Sequence, residues 1–343
     1  MNTDKYRFKN KAFGIIFCLI FFVSAGFSSA QTMSVSPPRP PKPLSQKTSK
    51  KTNNQNGASA EKSIAVDAKV NVSLCVSEGK LKVNGWERSE IRAFVGGESR
   101  IGFEVLQKNG QNNSAIWVKV LGFDPAKGKE AGAEECLSGE EIELDVPRGA
   151  IINVTGSESK TTIDSVRKVT VEIDGGDIFL NNIAQGIEAK TFQGDITVEN
   201  SSGAMTLNTT TGNIVAFGVG PSEIGDVFKA KTSSGAIALQ RIGHRQAEAS
   251  SNSGSIKFVG EFQSGGQYKL GTQNGSISLL LPEKSSFKLN ASFGFGVFNY
   301  DVPLQNIQKN STSKAQSLSA QMGGGDAALS LKTVSGAIRI KKQ

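Results

Sequence analysis

A catalytic triad is hard to build from this sequence, because histidine is nearly absent. The only histidine is His244, in the segment RIGHRQ between Arg241 and Arg245. A catalytic triad needs a nucleophile, a base and a carboxylate in contact, and no motif places such partners beside this histidine. We therefore interpret His244 as a solvent-exposed loop residue and not as a general base.

Metal and cofactor motifs are equally sparse. A second histidine is absent, and GGGDAALSL around Asp326 is a single, faint likeness to calcium-binding nonapeptide repeats, which need tandem copies. The segment GVGPSEIG lacks the Lys-Ser/Thr pair of a phosphate-binding loop. The sequence predicts neither a metal site nor a cofactor.

The carboxylates nearest to a cluster are Glu188, Asp195 and Glu199. A polysaccharide lyase or hydrolase needs paired carboxylates, or a base with cationic partners, on its surface. Here the acidic residues alternate with lysines, which is typical of a solvated face. We predict that the protein is not an enzyme, and keep a carbohydrate-active β-helix enzyme as an alternative.

The first residues predict export. Four Lys or Arg residues precede a run of 16 mainly apolar residues, AFGIIFCLIFFVSAGF, and the small residues SSA follow it. The run is shorter than the roughly 20 residues of a spanning helix. We predict a signal peptide over 1–30, cleaved after Ala30, with no membrane segment remaining after cleavage. The protein would then be periplasmic, at the cell surface or secreted.

Residues 31–62 are rich in Pro, Ser, Asn and Lys and predict a disordered spacer. Residues 1–30 carry a net charge of +3 and residues 31–62 a net +5, which accounts for the +8 of the whole chain. The remainder has no net charge, so it does not show the basic balance of a nucleic-acid-binding domain, and we predict no nucleic-acid partner. Two cysteines, Cys75 and Cys136, follow the signal peptide and could form one disulfide in an oxidising compartment. Because sequence cannot place their Cα atoms, the bonded and free states both stay open.

A repeat organises the rest of the chain. In segments such as SGAIAL a glycine is followed by apolar residues two and four positions later. Apolar residues also precede it by seven and five positions, with Thr, Ser or Asn often at three. Period two on both sides of a small corner predicts two strands whose buried faces point to the same side. One glycine per coil gives the series Gly176, Gly194, Gly212, Gly235, Gly254, Gly275, Gly294 and Gly336.

Most intervals in this series are 18 to 23 residues, which is typical of stacked coils with insertions at one corner. We predict an all-β fold, a β-solenoid resembling a parallel β-helix, with an antiparallel β-sandwich as the alternative. Residues 63–147 form a less regular β region, the predicted capping half of the solenoid. The repeats occupy 148–343 and include a polar loop excursion at 303–326.

The coil SFGFGVFNY is the most distinctive surface candidate. Its aromatic residues Phe293, Phe295, Phe298 and Tyr300 lie in a stretch with apolar groups at both parities, so some are predicted to be exposed. They form a candidate patch for sugar stacking or partner docking. Burial under the 303–326 excursion is the alternative.

Several of these segments resemble a known family. GKLKVNGWERSEIRAFV, LDVPRGAIINV and the serial Thr-x-Ser-Gly-x-Ile-x-Leu units resemble the bacterial "putative adhesin" family of β-strand-repeat proteins, a domain of unknown function, from about Val66 to the C-terminus. The resemblance implies an exported, solenoid-like β domain without established enzymatic activity or cofactor. The 303–326 excursion and the aromatic coil depart from the family pattern.

Together these observations predict an exported, non-enzymatic, adhesin-like or envelope scaffold protein. Its partner would be an unknown protein or glycan of the cell envelope or surface, bound through the solenoid face and the variable corner loops. The alternatives are an envelope-stress or sensory scaffold protein and the carbohydrate-active enzyme.

Overall fold

The computed structural model describes residues 60–96, 100–123, 136–311 and 316–343. The predicted signal peptide lies outside the described residues, as does the predicted spacer up to residue 59. Every regular element of the described residues is a β-strand, and the 24 strands join in one sheet, which confirms the all-β class. No helix that could cross a membrane occurs in the described part of the chain.

Six strands precede the repeats. They are β1 (Ala60–Trp86), β2 (Glu90–Gly96), β3 (Arg100–Lys108), β4 (Ala115–Phe123), β5 (Leu137–Pro147) and β6 (Ile151–Asp164).

Each repeat is a coil of two strands joined at the Thr-x-x-Gly corner, and the coils stack. The first strands of the coils form a row, here called the first row: β7 (Lys168–Gly175), β9 (Ile187–Gln193), β11 (Met205–Thr211), β13 (Val227–Ser234), β15 (Gln246–Ser253), β17 (Gln267–Asn274), β19 (Phe287–Phe295) and β23 (Ala327–Ser335). The second strands form the second row: β8 (Ile178–Asn181), β10 (Ile196–Glu199), β12 (Ile214–Val219), β14 (Ile237–Ile242), β16 (Ile256–Val259), β18 (Ile277–Leu281), β20 (Phe298–Asp301) and β24 (Ile338–Lys342).

Equivalent residues of successive coils lie side by side. Ile196 pairs in parallel with Ile178 on one side and with Ile214 on the other. Ile214 pairs in turn with Ile237, and these side chains lie in the common core with exposures of 0% or 1%. Parallel pairing of the repeats confirms the predicted β-solenoid, and the antiparallel sandwich is wrong.

The corner glycines are required by a close approach between coils. Gly235 has φ of +154°, and a Cβ added to it would lie 1.9 Å from the carbonyl oxygen of Gly212 in the preceding coil. Only a residue without a side chain fits both the backbone angle and the space. This contact sets the fixed corner, and length variation is left to the opposite corner.

The last coils do not stack in chain order. β17 and β18 pair with β23 and β24, and these pair on their other side with β19 and β20. The C-terminal segment therefore fills the place between two coils that precede it in the sequence.

One corner glycine was predicted wrongly. In the β19–β20 coil the corner residue is Gly296 and not Gly294, because a Cβ at Gly296 would lie 1.9 Å from the carbonyl oxygen of Gly336. The register agrees, since Phe295 pairs with Ser335. The segment SFGFGVF contains glycines two residues apart, and period-two spacing alone does not distinguish them.

The segment predicted as a loop excursion at 303–326 contains two further strands, β21 (Gln305–Ser311) and β22 (Gln316–Met322). β22 pairs antiparallel with β19 and with β21, so the first row is extended by a hairpin. The loop prediction was wrong because Leu318, Ala320 and Met322, which are buried at period two, are hidden in a segment rich in Gln and Ser. Every side chain of β21 is exposed.

The N-terminal strands continue both rows. β1 and β6 bend across the corner, so β1 pairs in parallel with β6 through Val72–Val76 in one row and through Leu81–Asn84 in the other. β5 pairs in parallel with the second half of β1, and β4 with part of its first half. β3 pairs antiparallel with β4, and β2 antiparallel with β5.

Candidate binding site

A ladder of hydroxyl groups makes the fixed corner rigid. In six of the described coils a Thr or Ser hydroxyl three residues before the corner glycine donates to the carbonyl of the corner glycine in the neighbouring coil. The distance is 2.9 Å from Thr232 to Gly212 and 2.8 Å from Thr272 to Gly254. Such contacts hold successive coils in one register, so side chains beside the corner sit on a stable platform.

A second ladder lies at the residue after the corner glycine. Asp177 Oδ1 accepts from the amide of Asp195 at 3.0 Å, and Asp195 Oδ1 accepts from the amide of Asn213 at 2.7 Å. Asn213 Oδ1 continues the series to the amide of Ala236 at 2.9 Å. These side-chain oxygens accept hydrogen bonds from backbone amides of the next coil. The recurring Asp, Asn or Ser after the glycine is the sequence signal of this ladder, and the sequence analysis did not use it.

A shallow groove of about 480 Å³ lies on the outer face of the first row, beside this corner. We call it the Phe192 groove. Phe192 is one of the lining residues. Its side chain is 57% exposed and is the large apolar group on an otherwise polar face. The remaining lining comes from β7, β9, β11 and β13: Glu172, Ile173, Asp174, Lys190, Thr191, Asn208, Thr209, Thr210, Lys231 and Ser233.

One ion pair crosses the groove wall. Lys190 Nζ contacts Glu172 Oε1, and the hydrogen bond and the charge of Glu172 raise the pKa of Lys190. Both side chains are well exposed, so the pair adds little to stability. Its effect is to hold the Lys190 ammonium on one side of the groove, which leaves Lys231 as the second cation of the lining.

This arrangement suits binding more than catalysis. An exposed aromatic ring offers a flat apolar surface, and Asn208, Thr210 and Ser233 supply amide and hydroxyl groups around it. A sugar ring has the matching character, with apolar C–H faces and hydroxyl groups at the edge. The groove is shallow and open, which suits a segment of an extended ligand.

Phe192 was missed by sequence analysis, although a signal was present. It follows the corner Thr of the repeat copy EAKTFQG, at a position where the neighbouring coils carry Thr210 and Ser233. Most coils carry a polar residue at this position, and Phe192 and Val334 are the exposed apolar exceptions.

The predicted aromatic residues of the last coil divide between core and surface. Phe293 is buried with 6% exposure and Phe298 is half-buried, while Phe295 and Tyr300 are 77% and 42% exposed. Phe295 immediately precedes the corner glycine, where the chain leaves the row and side chains such as Ser234 are also exposed. The hairpin of β21 and β22 lies edge-on to β19, so it does not cover Phe295.

Cys75 and Cys136 form a disulfide, with Cα atoms 4.5 Å apart and a sequence separation of 61 residues. The bond joins β1 to the residue just before β5. It lies well away in sequence from the Phe192 groove, and its role is to tie the N-terminal strands together.

His244 is fully buried, so the predicted exposed loop position is wrong. Its Nε2 lies 2.8 Å from the carbonyl oxygen of Gly203, and burial lowers its pKa, opposed by that hydrogen bond and by the charge of Asp226. The centroid of the imidazole ring also lies 5.8 Å from the centroid of the Phe228 ring. The corner after β14 folds back against the stack, and a neutral histidine anchors it there.

The three carboxylates considered for an enzyme are not brought together. Glu188 points outward from the first row, Asp195 belongs to the corner ladder, and Glu199 ends a strand of the second row. Among the described residues no group of three or more His, Cys, Asp or Glu could hold a metal ion.

A family model described as Toastrack DUF4097 matches residues 46–341. Two solved structures are similar to the chain. One is described as a "putative cell adhesion protein" from Clostridium sporogenes; it has 12% sequence identity and a TM-score of 0.26, and covers 84% of this chain and 100% of its own. The other is a "putative adhesin" from Parabacteroides merdae, with 10% identity and a TM-score of 0.32, covering 84% of this chain and 97% of its own. No curated protein matches the chain.

Proposed function

The chain belongs to the Toastrack DUF4097 family, and from this premise we propose that it is an exported, non-enzymatic, adhesin-like protein that binds a carbohydrate of the cell envelope or surface through the Phe192 groove. The observation that carries the proposal is the exposed Phe192 ring, surrounded by amide, hydroxyl and ammonium groups on a rigid stack of coils.

The stack itself supports a binding role. The corner hydrogen bonds fix the positions of β9, β11 and β13, so groove residues from three coils are held without a flexible loop. A preformed site loses little conformational entropy when a ligand binds. An adhesin-like module that holds a repetitive polymer benefits from such a flat, rigid and repetitive face.

One prediction and one observation support export. The prediction is the signal peptide at 1–30, and the observation is the disulfide between Cys75 and Cys136, since disulfides persist mainly in oxidising compartments outside the cytosol. The placement of Glu188, Asp195 and Glu199 on different parts of the coil favours binding over glycan cleavage, because these three do not form the carboxylate pair that glycosidases use.

The test is a glycan and envelope-component binding screen, followed by Phe192→Ala. We expect the variant to weaken carbohydrate binding about fivefold, corresponding to about 1 kcal/mol of lost stacking. Phe295→Ala is the matched control, because Phe295 is also an exposed aromatic residue beside a corner glycine in the first row. If Phe295→Ala weakens binding and Phe192→Ala does not, the site lies on the aromatic coil and the groove is wrong.

A second candidate, an envelope scaffold that binds another protein, is favoured by one feature. Ile224 is fully exposed, with a relative accessibility of 105%, on the variable corner between β12 and β13. Asp226 orders this corner by accepting from the amides of Ser222 and Glu223 at 2.9 Å each. Ile224→Ser would abolish protein capture and leave carbohydrate binding intact if this candidate is correct.

A further inference from the structure

The outer face of the first row becomes lysine-rich beyond the Phe192 groove. Four strands of this row stack in the order β13, β15, β17 and β23, and on them four lysines point outward and are exposed. We call this set the lysine track: Lys229, Lys231, Lys269 and Lys332. Glu248 is the one acidic side chain that points outward from these four strands, so the face is cationic although the region from 63 to 343 has no net charge.

The strand register places the lysines in two lines across the strands. Lys229 and Lys269 lie on either side of Glu248 in one line. In the other, Lys231 and Lys332 are separated by Ser250 and Gly271. At a strand spacing of about 4.8 Å, the separations are about 10 Å in the first line and about 14 Å in the second.

The four ammonium groups are available for a ligand. None of them forms an ion pair within the described part of the chain, whereas Lys190 in the groove is paired with Glu172. Between Lys231 and Lys332 the surface is made by a serine and a glycine, both half-buried. A thin polymer can therefore lie against the sheet between the two lysine side chains.

We propose that the lysine track binds a linear acidic polysaccharide that runs across the strands, along the axis of the coil stack. The inference rests on the proposed function and names the class of glycan. Lys231 belongs both to the track and to the Phe192 groove, so one chain can stack a sugar on Phe192 and continue over the lysines. Carboxylates recur once per sugar in a uronic acid polymer, which lets several contacts form on one ligand and adds avidity.

A single-stranded nucleic acid fits this surface less well. Proteins that bind such strands combine cations with aromatic side chains on which successive bases stack. The four strands of the track, β13, β15, β17 and β23, present no aromatic side chain outward. Phe192 offers one ring at the end of the track, whereas successive bases need a series of rings, so the surface favours a sugar polymer with regular carboxylates.

The test uses the full chain with polygalacturonate as the acidic probe, dextran as the neutral one and inorganic polyphosphate as the competing polyanion. The variant is the double substitution Lys231→Gln and Lys332→Gln. The matched control is Lys257→Gln and Lys341→Gln, which removes the same charge from exposed positions of the second row. Any contribution of the basic segment 31–62 is the same in all of these proteins.

At about 50 mM salt we expect the track variant to bind polygalacturonate about tenfold more weakly and the control less than about twofold more weakly. The slope of log affinity against log salt should fall by about 1.4, since each lost cation contact contributes about 0.7. Equal losses in the two variants would overturn the track. Tighter binding of polyphosphate than of polygalacturonate would overturn the polysaccharide class.

Phe192→Ala separates the two proposals. Loss of all carbohydrate binding in Phe192→Ala, with full binding in the lysine variant, would keep the proposed function and reject the track. If polygalacturonate binding is lost in the lysine variant and not in Phe192→Ala, the track is supported and the groove is rejected. No binding of any carbohydrate by the unaltered chain would reject both. Unchanged thermal melting of each variant shows that the fold is intact.

Discussion

Gly235→Ala tests the stacking of the coils directly. Gly235 has φ of +154°, and the added Cβ would lie 1.9 Å from the carbonyl oxygen of Gly212. An alanine at positive φ costs about 1–2 kcal/mol, and overpacking of a rigid site costs about 1–3 kcal/mol more. To reach even a tight 3 Å contact, two hydrogen-bonded coils must separate by about 1 Å. We therefore expect the free energy of unfolding to fall by about 2–5 kcal/mol.

Two other glycines separate backbone strain from steric overlap. Gly225 also has positive φ, +98°, but a Cβ there would meet nothing within 4 Å, so Gly225→Ala should cost only about 1–2 kcal/mol. Gly220 is equally open and lies outside the positive-φ region, so Gly220→Ala should change stability by less than about 1 kcal/mol. Urea denaturation followed by circular dichroism measures all three. Equal losses for Gly235→Ala and Gly225→Ala would refute the close approach of the corner carbonyl.

Three further predictions concern other parts of the fold. Cys75→Ser with Cys136→Ser should lower the free energy of unfolding by about 4 kcal/mol in urea denaturation, because the disulfide closes a loop of about 61 residues; an unchanged midpoint would contradict this. Deletion of 327–343 removes β23 and β24, so hydrogen exchange should become fast in β19 and β20 while β9–β12 stay protected. His244 has a lowered pKa, so the folded protein binds fewer protons than the unfolded chain and stability falls as pH drops below its ordinary value of 6.5. A wild-type urea midpoint that does not fall between about pH 8 and about pH 5.5, or falls equally in His244→Gln, would refute this.

The repeating part of the fold was predictable because the same physical requirement recurs in every coil. Ile196, Ile214 and Ile237 occupy one position of the repeat, and each is buried because period two places it inward. A single strand with this pattern would be ambiguous. A series with matching residues indicates parallel stacking, since only then does each residue meet its own equivalent.

The order of the last coils was not predictable from the same signal. The corner pattern reports that a segment forms a coil, but it carries no information about which coil is its neighbour. β23 lies between β17 and β19. The antiparallel strand β22 ends beside the start of β19, which is also where β23 begins. The hairpin of β21 and β22 is built from Gln and Ser with three inward apolar residues, a weak strand signal.

The sequence indicates the fold through residues that repeat from coil to coil, and the candidate site through residues that do not. Residues that obey the repeat, such as Thr232 and Gly235, are explained by contacts between coils. Function is therefore to be sought in residues that break it. His244 breaks the pattern, but its burial and its bond to Gly203 give it a structural role.

Phe192 breaks the pattern without any such compensation. Its ring is 57% exposed, while the equivalent Thr210 and Ser233 show that a small polar residue satisfies the same position. An aromatic side chain at a position that a small polar residue also fills is not needed for coil stacking. We propose that its role is contact with a ligand, and a ligand that covers Phe192 must also approach Lys231, where the cationic face begins. The groove and the lysine track are thus expected to act on one polymer, with the aromatic ring setting its position and the lysines its charge.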